Sequence, residues 1–379
     1  MLFRSKEKME RNEPCWCGSG EKWKRCHRDR HLQEGVQIGK LVHEMQAIQK
    51  RGFCLHVDAR KNTCDDPAIR AHTVQRRGGL TAIAENGHVV SGKRGFEKIF
   101  KNEGQIVPEP VGVAHASTFM GFCGVHDNSL FEPIEQTNFD LDEKAAFLLA
   151  YRAISYEVLT KKQAIEAIPL QRNMDKGKPF ETQIFIQQYL HVYKEGLLRG
   201  MQDVQHWKRK YDDGLTSGLY SGIKHYAIKF DGILPFVCCG GFMPEVSLDG
   251  RQLQMLARST DDLDHVCVNI SSMNGQTFAV FAWLDSSEGP AEDFIRSFSD
   301  LPDISKANMC LHLACEHLEN TYFKPSWWNS MGSESQQNLV ERMRSGISLN
   351  HERTAGAFVG ARKILDDNYV TDTLRPNYF

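Results

Sequence analysis

The chain has 379 residues, a formal net charge of −2 and 41% hydrophobic side chains, a balance that excludes both a disordered polyelectrolyte and a histone-like polycation. That length allows two or three domains with cores of their own. No stretch approaches the roughly 18 uninterrupted apolar residues of a membrane span, and an odd eleven cysteines, partly in metal-type spacing, point to a reducing cytoplasm.

Residues 1–31 carry nine Lys/Arg against five Asp/Glu. Within them Cys15, Cys17, Cys26 and His27 supply three thiols and an imidazole, the donor set of a tetrahedral zinc site. Gly18 and Gly20 let the chain turn sharply behind the first cysteine pair. A peptide this short buries no core alone, so metal binding is expected to supply most of its folding free energy, as in a tethered tag. The run Cys-x-Cys-Gly-Ser-Gly-x-Lys-x-Lys-x-Cys-His resembles the SEC-C motif, the zinc-binding tail of the preprotein translocase motor. The resemblance covers residues 11–28 and implies a docking module for a protein partner, with no open coordination position for catalysis.

Residues 31–51 read as a connecting helix, with Leu41, Met45 and Ile48 on one face. Residues 52–137 have the texture of a small metal-stabilised module. Cys54 and Cys64, followed after a long insertion by Cys123-Gly124-Val125-His126, form a second full set of tetrahedral zinc ligands. A helix is expected to start near Leu130–Glu135. Residues 70–104 carry seven Lys/Arg against three Asp/Glu, which suits an anionic partner such as nucleic acid, or equally a solvated face.

Two knuckles on one zinc, the second opening a helix, follow the logic of a treble clef. The interval from Cys64 to His72-Thr73-Val74-Gln75-Arg76 resembles a degenerate HNH nuclease core. That resemblance implies His72 as general base and Asp127 as the holder of Mg²⁺ or Mn²⁺. Arg76, Arg77, Lys93 and Arg94 would then line the path of the nucleic-acid backbone. Ala71 stands where such enzymes place a metal-binding carboxylate or histidine, and Asp127 stands in place of their asparagine. The plainer reading of His72 is a strand-end histidine bonded to backbone.

Residues 138–215 read as helical, with long runs over 145–167 and 180–211 separated near Pro169 and Gly177. From 216 to 379 an α+β unit with an antiparallel sheet is expected. Strands are read at 226–230, 234–239, 265–273 and 276–284, the last two joined by Asn274-Gly275. Helices are read at 293–298, 307–322 and 334–343, and the final dozen residues show no clear element. Cys310, His312, Cys315 and His317 sit in one of these helices, where their spread around the axis favours core packing over a metal site. Trp327-Trp328 reads as a helix-end anchor or a stacking platform. No phosphate-binding loop, nucleophile elbow or dinucleotide fingerprint is present.

The sequence therefore describes a multi-domain α+β protein. Its parts are a SEC-C knuckle (1–30), a connecting helix (31–51), an HNH-like treble-clef zinc module (52–137), a helical region (138–215) and an α+β domain (216–379). Two structural zinc ions are expected. One functional reading is a cytoplasmic, nucleic-acid-associated protein with an HNH-like nuclease centre, suiting a bacterial defence or toxin-like role by analogy. The other is a non-enzymatic adaptor docking on ribosome, chaperone or translocation machinery through the SEC-C motif.

Overall fold

Leu41, Met45 and Ile48 are buried along one side of the helix Ile38–Gln49, as their spacing predicts. In the computed structural model the described residues are 7–59, 64, 67–92, 102, 105–136, 138–256, 262–285, 289–346, 358 and 360–374. The chain divides into two compact units. The first holds the residues up to Arg51 together with Leu159–Gln202, and the second holds Gly52–Val158 and Asp203–Phe379.

The first unit contains the cysteine-rich N-terminal knuckle, the Ile38–Gln49 helix and an elbow between two long helices, Glu143–Gln171 and Phe180–Ser217, each divided between the units. A helix leaves its last carbonyls without internal partners. Here the Gln163 amide donates to the carbonyls of Gln49 and Arg51, at 3.1 and 3.0 Å. Pro169 lies in the last turn of the first long helix, and a 3₁₀ turn, Arg172–Asp175, follows it.

The second unit is built on an eight-stranded antiparallel sheet. Its strands are β2 (His88–Ser91), β3 (Glu109–Gly112), β5 (Ile223–Phe230), β6 (Phe236–Phe242), β7 (Val266–Met273), β8 (Gln276–Leu284), β9 (Thr321–Phe323) and β10 (Val370–Leu374). Their order is β10-β5-β8-β7-β6-β9-β2-β3. Asn274 and Gly275 both take positive φ, 51° and 77°, as a two-residue hairpin turn requires. Every residue of β7 is buried, because both faces of the sheet are covered. One face packs on the helices Pro290–Ser299 and Asp303–His317 through Phe294, Phe298, Leu311 and Cys315. On the other, Asn269 donates to the Leu149 carbonyl at 3.1 Å.

Three expectations need correction. The helix read over 307–322 ends at His317, and Thr321–Phe323 instead forms β9 between β6 and β2. The last dozen residues are not featureless, since Val370–Leu374 pairs with β5. The helix expected near 130 begins at Gly124 and runs to Glu135. Of the tempting Cys/His run, Cys310 and Cys315 are buried in the core, His312 bonds the Arg362 carbonyl and His317 stacks on Phe242. Trp328 is buried against Phe323 with ring centroids 4.9 Å apart.

A separate two-stranded sheet pairs β1 (Ala68–His72) with β4 (Thr118–Cys123), bringing Ala68 opposite Cys123 and His72 opposite Thr118. The Gly124–Glu135 helix leaves directly from the end of β4. No helix among the described residues is long and apolar enough to cross a membrane.

Candidate metal centres

The N-terminal knuckle starts as a miniature hairpin. Cys15 N–H donates to the Glu21 carbonyl at 2.7 Å and Trp23 N–H to the Glu13 carbonyl at 2.8 Å. Gly18 and Gly20 turn the chain with φ of 71° and 80°, a region that side chains with a Cβ rarely adopt. A 3₁₀ turn at Trp23–Arg25 then brings Cys26 and His27 back over the first pair. His27 Nδ1 lies 3.2 Å from Cys15 Sγ and 3.1 Å from Cys26 Sγ, and Cys17 Sγ lies 3.5 Å from Cys26 Sγ. Zn–S bonds of about 2.3 Å and Zn–N bonds of about 2.0 Å make a tetrahedron with edges of ~3.5–3.8 Å. The four donor atoms, all within 4.8 Å of one another, fit such an ion. The crowding shows in the thiols themselves. Hydrogen bonds with Cys17 and Cys26 push Cys15 upward, and bonds from Cys15 and Cys26 pull Cys17 down toward the thiolate.

The imidazole of His27 has its second nitrogen engaged. Nε2 lies 2.8 Å from Oδ2 of Asp175, a fully buried carboxylate in the 3₁₀ turn of the elbow. Asp175 also accepts from Arg30 Nε, and from Gln187 Nε2 at 2.7 Å. Arg172 Nη1 donates to the Cys17 carbonyl at 3.1 Å. Cys15, Trp16 and Cys17 are buried, with Phe180 and Ile184 packed against them. The knuckle is therefore not a free tag, because it shares a core with the elbow of its own unit. Nothing near Cys15 in sequence signals Asp175, which stands 148 positions from His27.

The second group sits where the β1–β4 ribbon meets its helix. Phe53 N–H donates to the Met120 carbonyl and Leu55 N–H to the Gly121 carbonyl, at 3.1 and 2.8 Å, which lays Cys54 beside β4. Gly52 makes that approach feasible, since a Cβ there would stand 2.0 Å from the Met120 oxygen. Cys123 closes β4 and His126 follows in the first helical turn. His126 Nδ1 lies 3.4 Å from Cys54 Sγ, 3.4 Å from Cys64 Sγ and 3.2 Å from Cys123 Sγ. These donors too lie within 4.8 Å of one another and fit a tetrahedral zinc ion. Phe122, next to Cys123, and Phe131, both fully buried, pack edge to face at 5.1 Å. The ring of His56 stacks on that of His126 with centroids 4.0 Å apart.

Residues the sequence did not single out brace this second group. Lys208 Nζ donates to the Leu55 carbonyl and to Tyr151 Oη, both at 2.9 Å, and pairs with Asp212. Arg152 is buried with its guanidinium 4.0 Å from the Phe131 ring and Nη1 2.6 Å from Glu135 Oε1.

His72 stands at the end of β1, half-buried, with Nε2 bonded to the Val113 carbonyl at 3.2 Å. Burial, opposed by that bond, pulls its pKa down, with Arg76 adding to the fall. Asp127 lies in the first turn of the Gly124–Glu135 helix. Burial pushes its pKa up, against the pull of Arg152, and its Oδ1 has no hydrogen-bond partner. Ala71 is buried. Arg76 and Arg77 are exposed in an irregular turn after β1. Lys93 and Arg94 lie outside the described residues.

Residues 11–29 match the SEC-C motif family. This knuckle is a SEC-C motif. A methionine aminopeptidase of Chlamydia pneumoniae is 79% identical to the chain over 19 residues, which cover 5% of this chain and 6% of that protein. No solved structure matches the chain. With its SEC-C motif and two tetrahedral Cys/His groups, the protein is built to bind zinc.

Proposed function

We propose that the protein is a non-catalytic docking protein in the cytoplasm, in which two zinc ions are structural and the SEC-C motif is the contact module for an RNA-rich surface. One observation carries the reading. With its donors turned inward, the knuckle holds Lys22, Arg25 and Arg28 at its exposed exterior, Arg28 paired there with Asp29 at 2.6 Å. Lys24 sits among them, its pKa lowered first by desolvation and then by Arg11, Lys22, Arg25 and Arg28. Cations gathered this tightly repel one another, and an anionic partner relieves that repulsion by displacing their counterions. A closed Cys₃His site leaves no position for substrate, which supports a structural ion.

The experiment is binding of the zinc-loaded chain to structured RNA across a salt series. Binding should fall steeply with salt. It should weaken at least tenfold when Lys22, Arg25 and Arg28 are replaced together by Ala, and it should be lost in Cys17→Ser. Binding insensitive to salt and to these changes, or none in low salt, defeats the reading.

A second reading, a metal-dependent HNH-like nuclease, is favoured by Asp127. Its unpartnered oxygen sits on the helix that leaves the end of β4, in a ribbon whose first strand ends in His72, an order that suits a treble-clef nuclease core. The bond from His72 to the Val113 carbonyl, the burial that raises the pKa of Asp127 and the buried Ala71 weigh toward the docking reading. Cleavage of RNA or DNA by zinc-loaded protein on addition of Mg²⁺ or Mn²⁺ would reverse that order.

A further inference from the structure

We propose that Asp175 is the positioning residue of the first zinc site, and that through it the SEC-C ion and the helical elbow fold as one unit. The inference rests on zinc occupying the Cys15, Cys17, Cys26 and His27 group.

An imidazole binds a metal through an unprotonated nitrogen, so its single proton must sit on the other one. In His27 the nitrogen facing the thiols is Nδ1, at 3.1 and 3.2 Å from Cys26 and Cys15. The proton therefore belongs on Nε2, and Asp175 Oδ2 at 2.8 Å is its acceptor. A carboxylate in this place fixes the tautomer, orients the ring and raises its basicity toward the metal.

Asp175 cannot do this as a loose group. It is fully buried, and an unpaired buried carboxylate would be strongly disfavoured. Arg30, itself in the segment just after the knuckle, binds Oδ1 through Nε and binds the Arg172 carbonyl through Nη2 at 2.9 Å. Gln187, one turn into the second long helix beyond Ile184, binds Oδ2 at 2.7 Å and the Arg172 carbonyl at 2.9 Å. Charge closes as well. Three thiolates around Zn²⁺ leave one negative charge. With Asp175 that makes two, and Arg30 and Arg172, which meet Asp175 and the Cys17 carbonyl, balance them. The bonds of His27 and Arg30 to Asp175 and of Arg172 to the Cys17 carbonyl exist only when knuckle and elbow are assembled together. Binding energy for the ion thus becomes folding energy for helices more than a hundred residues away.

The test uses the zinc-loaded full chain and a chromophoric chelator. Zinc should be lost in two phases, and the phase missing from Cys17→Ser belongs to the first site. Asp175→Ala should weaken zinc at that site by about 10–100-fold, the usual cost of losing such an outer partner, while the other phase stays unchanged. Asp175→Asn, which keeps an oxygen acceptor, should recover part of the loss. Unchanged first-site affinity in both variants, or equal weakening of both phases, overturns the proposal. If Cys17→Ser loses no zinc, it is the assignment of the first site that fails. Should neither Asp175 variant fold, the wild-type tautomer decides through ¹⁵N correlations of His27. A proton on Nε2 with the metal on Nδ1 supports the proposal, and metal on Nε2 overturns it.

Discussion

The indole of Trp16 meets the ring of Phe180 edge to face, with centroids 5.7 Å apart and planes at 86°. One residue sits between the first two zinc-binding cysteines and the other opens a long helix. Trp16 is almost wholly buried at 4% exposure, so it is the knuckle's main apolar contribution to the first unit. Trp16→Ala should therefore destabilise that unit by about 3–5 kcal/mol, the range for removing a buried large aromatic. Thermal unfolding followed by circular dichroism checks this. A melting curve identical to wild type would mean that the knuckle is a tethered tag after all.

Elemental analysis of purified protein should give two zinc ions per chain. Cys123→Ser should remove one, because Cys123 lies 3.2 Å from His126 in the second group. Cys238→Ser should remove none, since Cys238 packs in the apolar core of the sheet. A wild-type content of one zinc, unchanged by Cys123→Ser, would dismiss the second site.

His72→Ala separates a structural histidine from a general base. On the docking reading the wild-type chain cuts neither RNA nor DNA with Mg²⁺ or Mn²⁺, and the substitution acts on stability. Leaving the Val113 carbonyl unpaired should cost about 1–3 kcal/mol. A general base would instead show a loss of ~10²–10⁴ in cleavage rate with stability nearly intact. Denaturant unfolding and a nuclease assay on the same two proteins distinguish the outcomes.

Acid should destabilise the second unit through His265. Burial pulls this histidine from 6.5 down to about 3, with His206 adding to the effect, while its ring stacks on Trp207 at 4.2 Å. Between those two values the unfolded chain holds a proton that the folded chain refuses. Stability contributed by the neutral ring is thus complete above about pH 6.5 and is lost as pH falls toward 3. The slope for one such group approaches ~1.4 kcal/mol per pH unit. His265→Gln should flatten the dependence across that window, measured as the difference in unfolding midpoint from wild type. Parallel pH profiles would assign the acid sensitivity elsewhere.

Both Cys/His groups were legible because metal ligands are of few types and come in local pairs, and the strongest strands were legible because β7 and β8 flank an Asn-Gly turn. What escaped was long-range. Asp175 bonds His27 and Lys208 bonds the Leu55 carbonyl beside Cys54 only through the tertiary fold, so no spacing around Cys15 or Cys54 encodes them. Thr321–Phe323 is too short to show a period, and its apolar neighbours Leu313, Ala314 and Leu318 extend the helical pattern into it. Val370–Leu374 carries Thr-Asp-Thr at its centre, a polar run that suits an edge position but gives no apolar alternation. Strands β2 and β3 come from the cysteine-rich stretch yet complete the large sheet, a pairing that only the chain's tertiary course determines.

That last pairing sets a timetable for synthesis. β2 meets β9 with Val90 opposite Phe323, so more than two hundred residues must leave the ribosome between the first partner and the second. Closing so long a loop is slow compared with local structure. The second Cys/His group is complete once His126 has emerged, and its hairpin joins residues only about fifty positions apart. Zinc can thus fasten Cys54, Cys64, Cys123 and His126 while β2 still waits for its neighbour. A nascent chain starved of zinc would carry those thiols and the edge of β2 unprotected through most of its translation, the interval when mispairing and aggregation are most damaging.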